Sequence, residues 1–106
     1  VCAGIAINPD TDENLLKPLI EYLDYILIMS VFPGLGGQDF ILSTLDKMKN
    51  IVHMRENRDI TIAVDGGVNL ETISKVYETG IDVTIVGSDL FRSKNVFQRF
   101  KDLLDA

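Results

Sequence analysis

The sequence predicts a parallel α/β fold, and two features of the chain indicate it. Four short runs are apolar and rich in Ile and Val; they span residues 2–7, 25–31, 60–64 and 83–87. None of them alternates strictly between apolar and polar residues, which is typical of strands buried on both faces of a parallel sheet. The segments that follow these runs carry apolar residues at helical spacing. The resulting β-α-β-α-β-α-β-α order, with right-handed crossovers, predicts a parallel sheet.

Each predicted helix has a recognisable boundary or apolar face. The first begins near Asp12, a suitable N-cap, and Pro18 predicts a late start or a kink within it. The second spans residues 39–56, and the third ends at Gly80, a typical C-terminal cap. In the last helix, residues 94–106, the side chains expected to face the core are Val96, Phe97, Phe100, Leu103 and Leu104.

The composition is that of an ordinary globular domain. The 106 residues are 46% hydrophobic and 25% charged, with a formal net charge of −6. Negative charge argues against non-specific binding to nucleic acid or to an anionic membrane surface. No apolar run reaches the roughly 18 residues of a membrane-spanning helix. The single cysteine, Cys2, is expected to be a small buried hydrophobe and fits a cytoplasmic location, or a plastid one if a targeting segment precedes the chain.

Four βα units fit two architectures. They complete an open sheet by themselves, or they form half of an eight-unit barrel, which typically needs about 250 residues. Open sheets usually carry polar residues along their edge strands, and none of the four apolar runs has them. Composition does not decide between the two architectures.

Glycine is concentrated in three of the loops that follow predicted strands. These residues are Gly34, Gly36 and Gly37 after the second strand, Gly66 and Gly67 after the third, and Gly87, with Ser88 beside it, after the fourth. Glycine lets consecutive backbone N–H groups point at an anion, and such loops lie together at one edge of a parallel sheet. We therefore expect a phosphate site formed mainly by main-chain donors, since these loops contain no Lys or Arg. The alternative is that each glycine only permits a tight turn.

Asp65 is the strongest single candidate for a functional residue. It follows the third strand directly, so a carboxylate lies at the end of a strand that is otherwise apolar. Such a group can act as a general acid or base, or can ligate a divalent metal. The alternative is a turn-forming or helix-capping aspartate before Gly66 and Gly67. Arg92 and Lys94, which follow the last loop, could assist the binding of an anion, but a solvated helix start is the favoured interpretation.

Four stretches resemble the ribulose-phosphate 3-epimerase family in the same order. They are "GIAINPDT" (4–11), "MSVFPGLGGQDFI" (29–41), "VDGGVN" (64–69) and "IVGSDLF" (85–91). The resemblance implies an eight-stranded (β/α) TIM barrel, of which residues 1–106 match strands five to eight, without the N-terminal half. The chain departs from the family pattern at three positions: Phe32 replaces the usual Asn or Glu, Leu35 the usual Phe, and Asp89 a common Ala.

The resemblance implies an isomerase of the pentose phosphate pathway that converts D-ribulose 5-phosphate to D-xylulose 5-phosphate through an enediolate. Asp65 is then the catalytic acid or base and a ligand of a divalent metal ion (Zn, Fe, Mn or Co), and Met29 lines the pocket. The residues implied to bind the sugar phosphate are Gly34, Leu35, Gly36, Gly37, Asp65, Gly66, Gly67, Gly87 and Ser88. The second catalytic aspartate and the histidine metal ligands of the family have no counterpart in this chain.

Three other functions remain open. Two are related phosphate-binding barrels, allulose-6-phosphate 3-epimerase and hexulose-phosphate synthase, and the third is a non-catalytic phosphate-binding half-barrel. The expected partner is a small sugar phosphate, with no nucleic acid and no membrane. We also expect a homo-oligomer, because a half-barrel exposes sheet edges and an apolar seam.

Overall fold

The computed structural model describes residues 1–34 and 38–106, and within them four strands form one parallel sheet. The strands are β1 (Gly4–Ile7), β2 (Tyr25–Met29), β3 (Thr61–Asp65) and β4 (Val83–Ile85). They are hydrogen-bonded in the order β1-β2-β3-β4, and every neighbouring pair is parallel. The predicted parallel α/β fold is confirmed.

Helices connect the strands, and the first of them is not an α-helix. A 3-10 helix (Glu13–Tyr22) joins β1 to β2; the α-helices are α1 (Thr44–Arg55), α2 (Ile73–Glu78), α3 (Ser88–Phe91) and α4 (Val96–Asp105). Pro18 lies inside the 3-10 helix, where it lacks the N–H that an α-helix would use. Asp12 caps this helix, and its carboxylate accepts a hydrogen bond from the Asn14 N–H at 2.9 Å. Among the described residues, no helix has both the length and the apolar character needed to cross a bilayer.

The strand order places the helices on one face of the sheet. Parallel crossovers are right-handed in nearly all proteins, so strands added in sequence order keep their connections on the same side. The fully buried strand residues on that side are Ile26, Ile28, Ile62 and Val64. On the other side, Tyr25, Val83 and Ile85 are 37%, 37% and 40% exposed. Ala63 on the same side is fully buried, so the prediction of strands buried on both faces fails at these three positions and holds at Ala63.

A hydrophobic core fills the space between the sheet and the helices. Its helical members include Leu16, Met48, Ile51 and Val76, all of them fully or almost fully buried. A polar cluster beside this core ties the 3-10 helix to α1: Asn50 Nδ2 donates to Glu13 Oε2 at 2.9 Å, and Lys47 Nζ lies 3.6 Å from Glu13 Oε1. The hydrogen bond from Asn50 lowers the pKa of Glu13, and burial opposes this effect only in part.

Most of the apolar residues of α4 do not face the core, contrary to the prediction. Only Leu103 is buried, at 7% exposure. The others, Val96, Phe97, Phe100 and Leu104, are 39%, 72%, 49% and 68% exposed. The described elements do not cover the whole apolar stripe of α4. Cys2 is exposed as well, because it precedes the edge strand β1.

Candidate functional site

A cleft of about 640 Å³ lies at the carboxyl ends of β2, β3 and β4. The described residues that line it are Met29, Val31, Phe32, Pro33, Gly34, Gln38, Asp39, Asp65, Gly66, Gly67, Val68, Asn69, Ile85, Gly87, Ser88, Asp89, Arg92, Ser93 and Arg99. Parallel α/β proteins bind ligands at this end of their strands. The volume is within the range of about 300–1,000 Å³ that is typical of small-molecule sites.

The structure brings the described site candidates together on this cleft. They are Met29, Gly34, Asp65, Gly66, Gly67, Gly87 and Ser88. Met29 and Asp65 are register partners at the ends of β2 and β3, which puts them side by side. The other three candidates, Leu35, Gly36 and Gly37, lie outside the described residues. The chemical roles of all these residues stay predictions.

Ser30 fixes the backbone beneath Asp65. Its N–H donates to the Asp65 carbonyl at 2.9 Å, and its hydroxyl lies 3.1 Å from the same oxygen and also contacts the Gly66 carbonyl. Ser30 is fully buried, and sequence analysis did not single it out; the signal for it was a hydroxyl at the end of an apolar strand. None of the hydrogen bonds or ion pairs among the described residues engages the carboxylate of Asp65, so this half-buried group is available to a ligand.

Gly66 and Gly67 bring the loop after β3 into close contact with the chain after β2. Their φ angles are +122° and +68°, a region that favours glycine. A Cβ on Gly66 would lie 2.5 Å from Val31 Cγ2, and one on Gly67 would lie 2.6 Å from the backbone nitrogen of Phe40. For these two positions the structural role is therefore clear: a side chain would push the two loops apart.

Gly34 and Gly87 are different, because the space beside them is open. A Cβ at either position would have no described atom within 4 Å. Gly34 has φ +99°, whereas Gly87 has φ −116°, which any residue can adopt. Both border the cleft, so a ligand can approach their backbone directly.

Two arginines, Arg92 and Arg99, border the cleft. Arg92 follows α3 and is exposed, and Arg99 is in the first half of α4. Arg99 Nη1 lies 3.7 Å from Asp89 Oδ2. Arg92 is exposed, as expected of a solvated helix start, and it also lines the cleft, which fits the alternative that it assists an anion. Nothing in the local sequence indicates Arg99, which reaches the site because α4 packs back on α3.

The described residues do not complete a metal centre. Asp65 is the one predicted ligand in this chain, and within the described residues no group of three or more His, Cys, Asp or Glu is arranged to hold a metal ion. The single histidine, His53, is exposed on α1 and lines a separate groove.

Comparison with known sequences gives one consistent family. The family model described as "Ribulose-phosphate 3 epimerase family" matches residues 1–91. The chain is 36% identical over 96 residues to ribulose-phosphate 3-epimerase of Aquifex aeolicus (strain VF5), covering 89% of this chain and 43% of that protein. It is 40% identical over 94 residues to the Bacillus subtilis (strain 168) enzyme of that name, covering 86% of this chain and 43% of that protein. The chain spans less than half the length of these curated relatives.

Comparison with solved structures supports the fold. Thiamine phosphate pyrophosphorylase from Bacteroides thetaiotaomicron aligns with a TM-score of 0.58 at 16% sequence identity. The alignment covers 98% of this chain and 51% of that one. At this level of identity the likeness shows the parallel α/β arrangement alone.

Proposed function

The chain belongs to the ribulose-phosphate 3-epimerase family, a TIM-barrel family, and on that premise we propose that it is the carboxyl-terminal half of a barrel that epimerises a ketose phosphate at C3. Its four parallel strands, in sequence order with one open face, fit the last four βα units of eight. The coverage of 43% of a relative's length and the exposed apolar stripe of α4 support the same assignment. The missing units would supply the surfaces that cover this stripe and the open sheet face.

The position of the Asp65 carboxylate is the observation that carries the proposal. It stands at the end of β3, in a cleft of substrate size, with no partner among the described residues. A carbonyl at C2 of a ketose acidifies the proton on C3, and a positioned carboxylate removes that proton to give an enediolate. Return of a proton to the opposite face inverts C3. Asp65 serves one face. We assign the other face to a group outside this chain, because the second catalytic aspartate of the family pattern has no counterpart in residues 1–106.

The phosphate end of the substrate has its own set of groups in the cleft. We assign it to the open backbone at Gly87 and to the hydroxyl of Ser88, which border the cleft after β4. Backbone N–H groups and a hydroxyl are suitable donors to phosphate oxygens. Gly66 and Gly67 hold the loops at the spacing that this site requires.

Phe32 bears on which sugar the site accepts. It is 46% exposed and lines the cleft, at a position where a polar residue could bind a hydroxyl of the sugar. D-ribulose 5-phosphate is the substrate we propose, with allulose 6-phosphate as the alternative. A panel of five- and six-carbon ketose phosphates, ranked by kcat/KM, distinguishes the two.

The test uses the protein expressed from its complete reading frame and compares Asp65→Asn with Asp59→Asn. Asp59 is an exposed carboxylate just before the other end of β3, so it is a matched control. Loss of general acid–base catalysis should lower kcat about a hundredfold or more in Asp65→Asn and leave Asp59→Asn unchanged. The measurements are turnover of D-ribulose 5-phosphate and exchange of its C3 proton in D₂O, followed by NMR. Equal activity and exchange in the two variants would contradict the role of Asp65.

The chain of residues 1–106 alone should show no turnover, because it carries only one of the two acid–base groups. Turnover by this chain would refute the half-barrel assignment, and phosphate binding without turnover by the complete protein would favour the non-catalytic alternative. A divalent metal, homo-oligomeric assembly and a cytoplasmic location stay predictions.

A further inference from the structure

We propose that Arg99 binds the phosphate group of the substrate and that Asp89 holds the Arg99 guanidinium in place when the cleft is empty. The proposal rests on the proposed function in its choice of substrate, a sugar phosphate. It adds a side-chain cation to a site that sequence analysis assigned to main-chain donors. Both residues line the cleft beside Gly87 and Ser88.

The geometry of the pair leaves the guanidinium free to bind a ligand. Arg99 Nη1 and Asp89 Oδ2 are 3.7 Å apart, which is an ion pair but is too long for a hydrogen bond between charged groups, typically about 2.7–2.9 Å. Asp89 Oδ2 is buried and accepts no hydrogen bond within the described part of the chain. Arg99 therefore keeps its side-chain donors available while the carboxylate attracts it.

The charged side chains that line the cleft favour binding of the substrate's phosphate near Arg99 and Asp89 and binding of its C3 carbon near Asp65. Asp39 and Asp65 contribute carboxylates to the part of the cleft that follows β2 and β3. Arg92 and Arg99 contribute cations to the part that follows β4. A ligand with a dianion at one end is repelled from the first part and attracted to the second. This polarity orients a ketose phosphate with its phosphate toward α4.

Partial burial makes the Arg99 cation effective. The side chains of Arg99 and Asp89 are 32% and 21% exposed, so solvent screens the pair less than it screens the fully exposed charges of α4. A guanidinium can donate two parallel hydrogen bonds to a phosphate, which a lysine cannot do. When the dianion binds, it replaces the Asp89 carboxylate as the main partner of Arg99. Asp89 thus lowers the affinity for phosphate while it keeps Arg99 oriented.

The test measures inorganic phosphate binding by calorimetry and the KM for D-ribulose 5-phosphate in the protein expressed from its complete reading frame. The variants are Arg99→Gln, Asp89→Asn and the control Lys101→Gln, which removes one positive charge from the same helix away from the cleft. Arg99→Gln should raise the phosphate Kd and the KM about tenfold or more, the value of a charge-assisted hydrogen bond. Asp89→Asn should lower the phosphate Kd several-fold, and Lys101→Gln should change neither quantity.

The outcomes separate this inference from the proposed function. Arg99→Gln leaves the Asp89 carboxylate without its cation. If this single variant does not fold, the double variant Asp89→Asn, Arg99→Gln takes its place and should also bind phosphate about tenfold or more weakly than wild type. A wild-type protein that binds phosphate through Arg99 but turns over no ribulose 5-phosphate would refute the proposed function and keep this inference. A wild-type protein that binds no phosphate, or an arginine variant that behaves like Lys101→Gln, would overturn the inference.

Discussion

Substitution of Gly67 by alanine should destabilise the protein, because two separate costs meet at this position. The residue has φ +68°, where an L-amino acid with a Cβ is strained. The added Cβ would also lie 2.6 Å from Phe40 N, 2.9 Å from the Gln38 carbonyl oxygen and 3.0 Å from Phe40 Cα. All three atoms belong to the backbone, so no side-chain rotation relieves the contact.

The two costs can be estimated from the geometry. A left-handed backbone costs a residue other than glycine about 1–2 kcal/mol. Forcing an extra carbon into a packed contact costs typically about 1–3 kcal/mol. The free energy of unfolding of Gly67→Ala should therefore fall by about 2–5 kcal/mol, enough to lower Tm by about 10 °C or more in a domain of this size.

Two other glycines provide matched controls for the two costs. Gly34→Ala has the positive φ of +99° but no atom of the described residues within 4 Å, so it should lose only the strain, about 1–2 kcal/mol. Gly87→Ala has neither cost and should be within about 0.5 kcal/mol of wild type. Urea denaturation and thermal unfolding measure the series. If Gly67→Ala is as stable as Gly87→Ala, the loop after β3 does not contact the chain after β2 as closely as described.

Two further substitutions test contacts remote from the cleft. Asn50→Ala should cost about 1 kcal/mol at neutral pH. Because the folded protein lowers the pKa of Glu13, the stabilisation by this contact is present above the ordinary carboxyl pKa and is lost as the pH falls through the lowered value. The difference in free energy of unfolding between Asn50→Ala and wild type, measured by urea denaturation, should therefore shrink in acid. A difference that does not change with pH would contradict the connection between this contact and the pKa of Glu13. Asp82→Ala should cost about 2 kcal/mol in the same assay, since Asp82 accepts hydrogen bonds from Arg55 Nη1 at 2.6 Å and from the Ile62 N–H at 2.9 Å. If the free energy of unfolding falls by less than about 0.5 kcal/mol, solvent screens the ion pair between Asp82 and Arg55.

The strands were predictable from the sequence because the pattern that indicates them is local. Each apolar run is short, rich in β-branched residues and bounded by polar or glycine-containing segments, so its position needs no knowledge of distant residues. The first helix was harder, since Pro18 allows more than one helical form and the structure adopts the 3-10 form. The inward face of α4 was predicted wrongly, because an apolar stripe indicates a partner surface but not whether the described chain supplies it.

For the glycines of the site, too, some properties were predictable from the sequence and others were not. Their clustering after strands predicted one cleft, and the structure brings those that it describes to one cleft. Composition did not distinguish Gly66 and Gly67, which allow two loops to approach, from Gly34 and Gly87, which leave open backbone. That difference depends on which atoms from other parts of the chain lie nearby.

Local patterns and motifs in a fixed order were enough to predict the alternation of strands and helices, the parallel fold class, the family and the candidate carboxylate of Asp65. They did not predict the short helix α3 between β4 and α4. The order of the strands, the single face on which the helices pack and the approach of Arg99 to Asp89 became known from the three-dimensional structure. The physical reason is that these features join residues far apart in the chain. Their contacts depend on how crossovers and helices pack in space, and a local pattern does not record that packing.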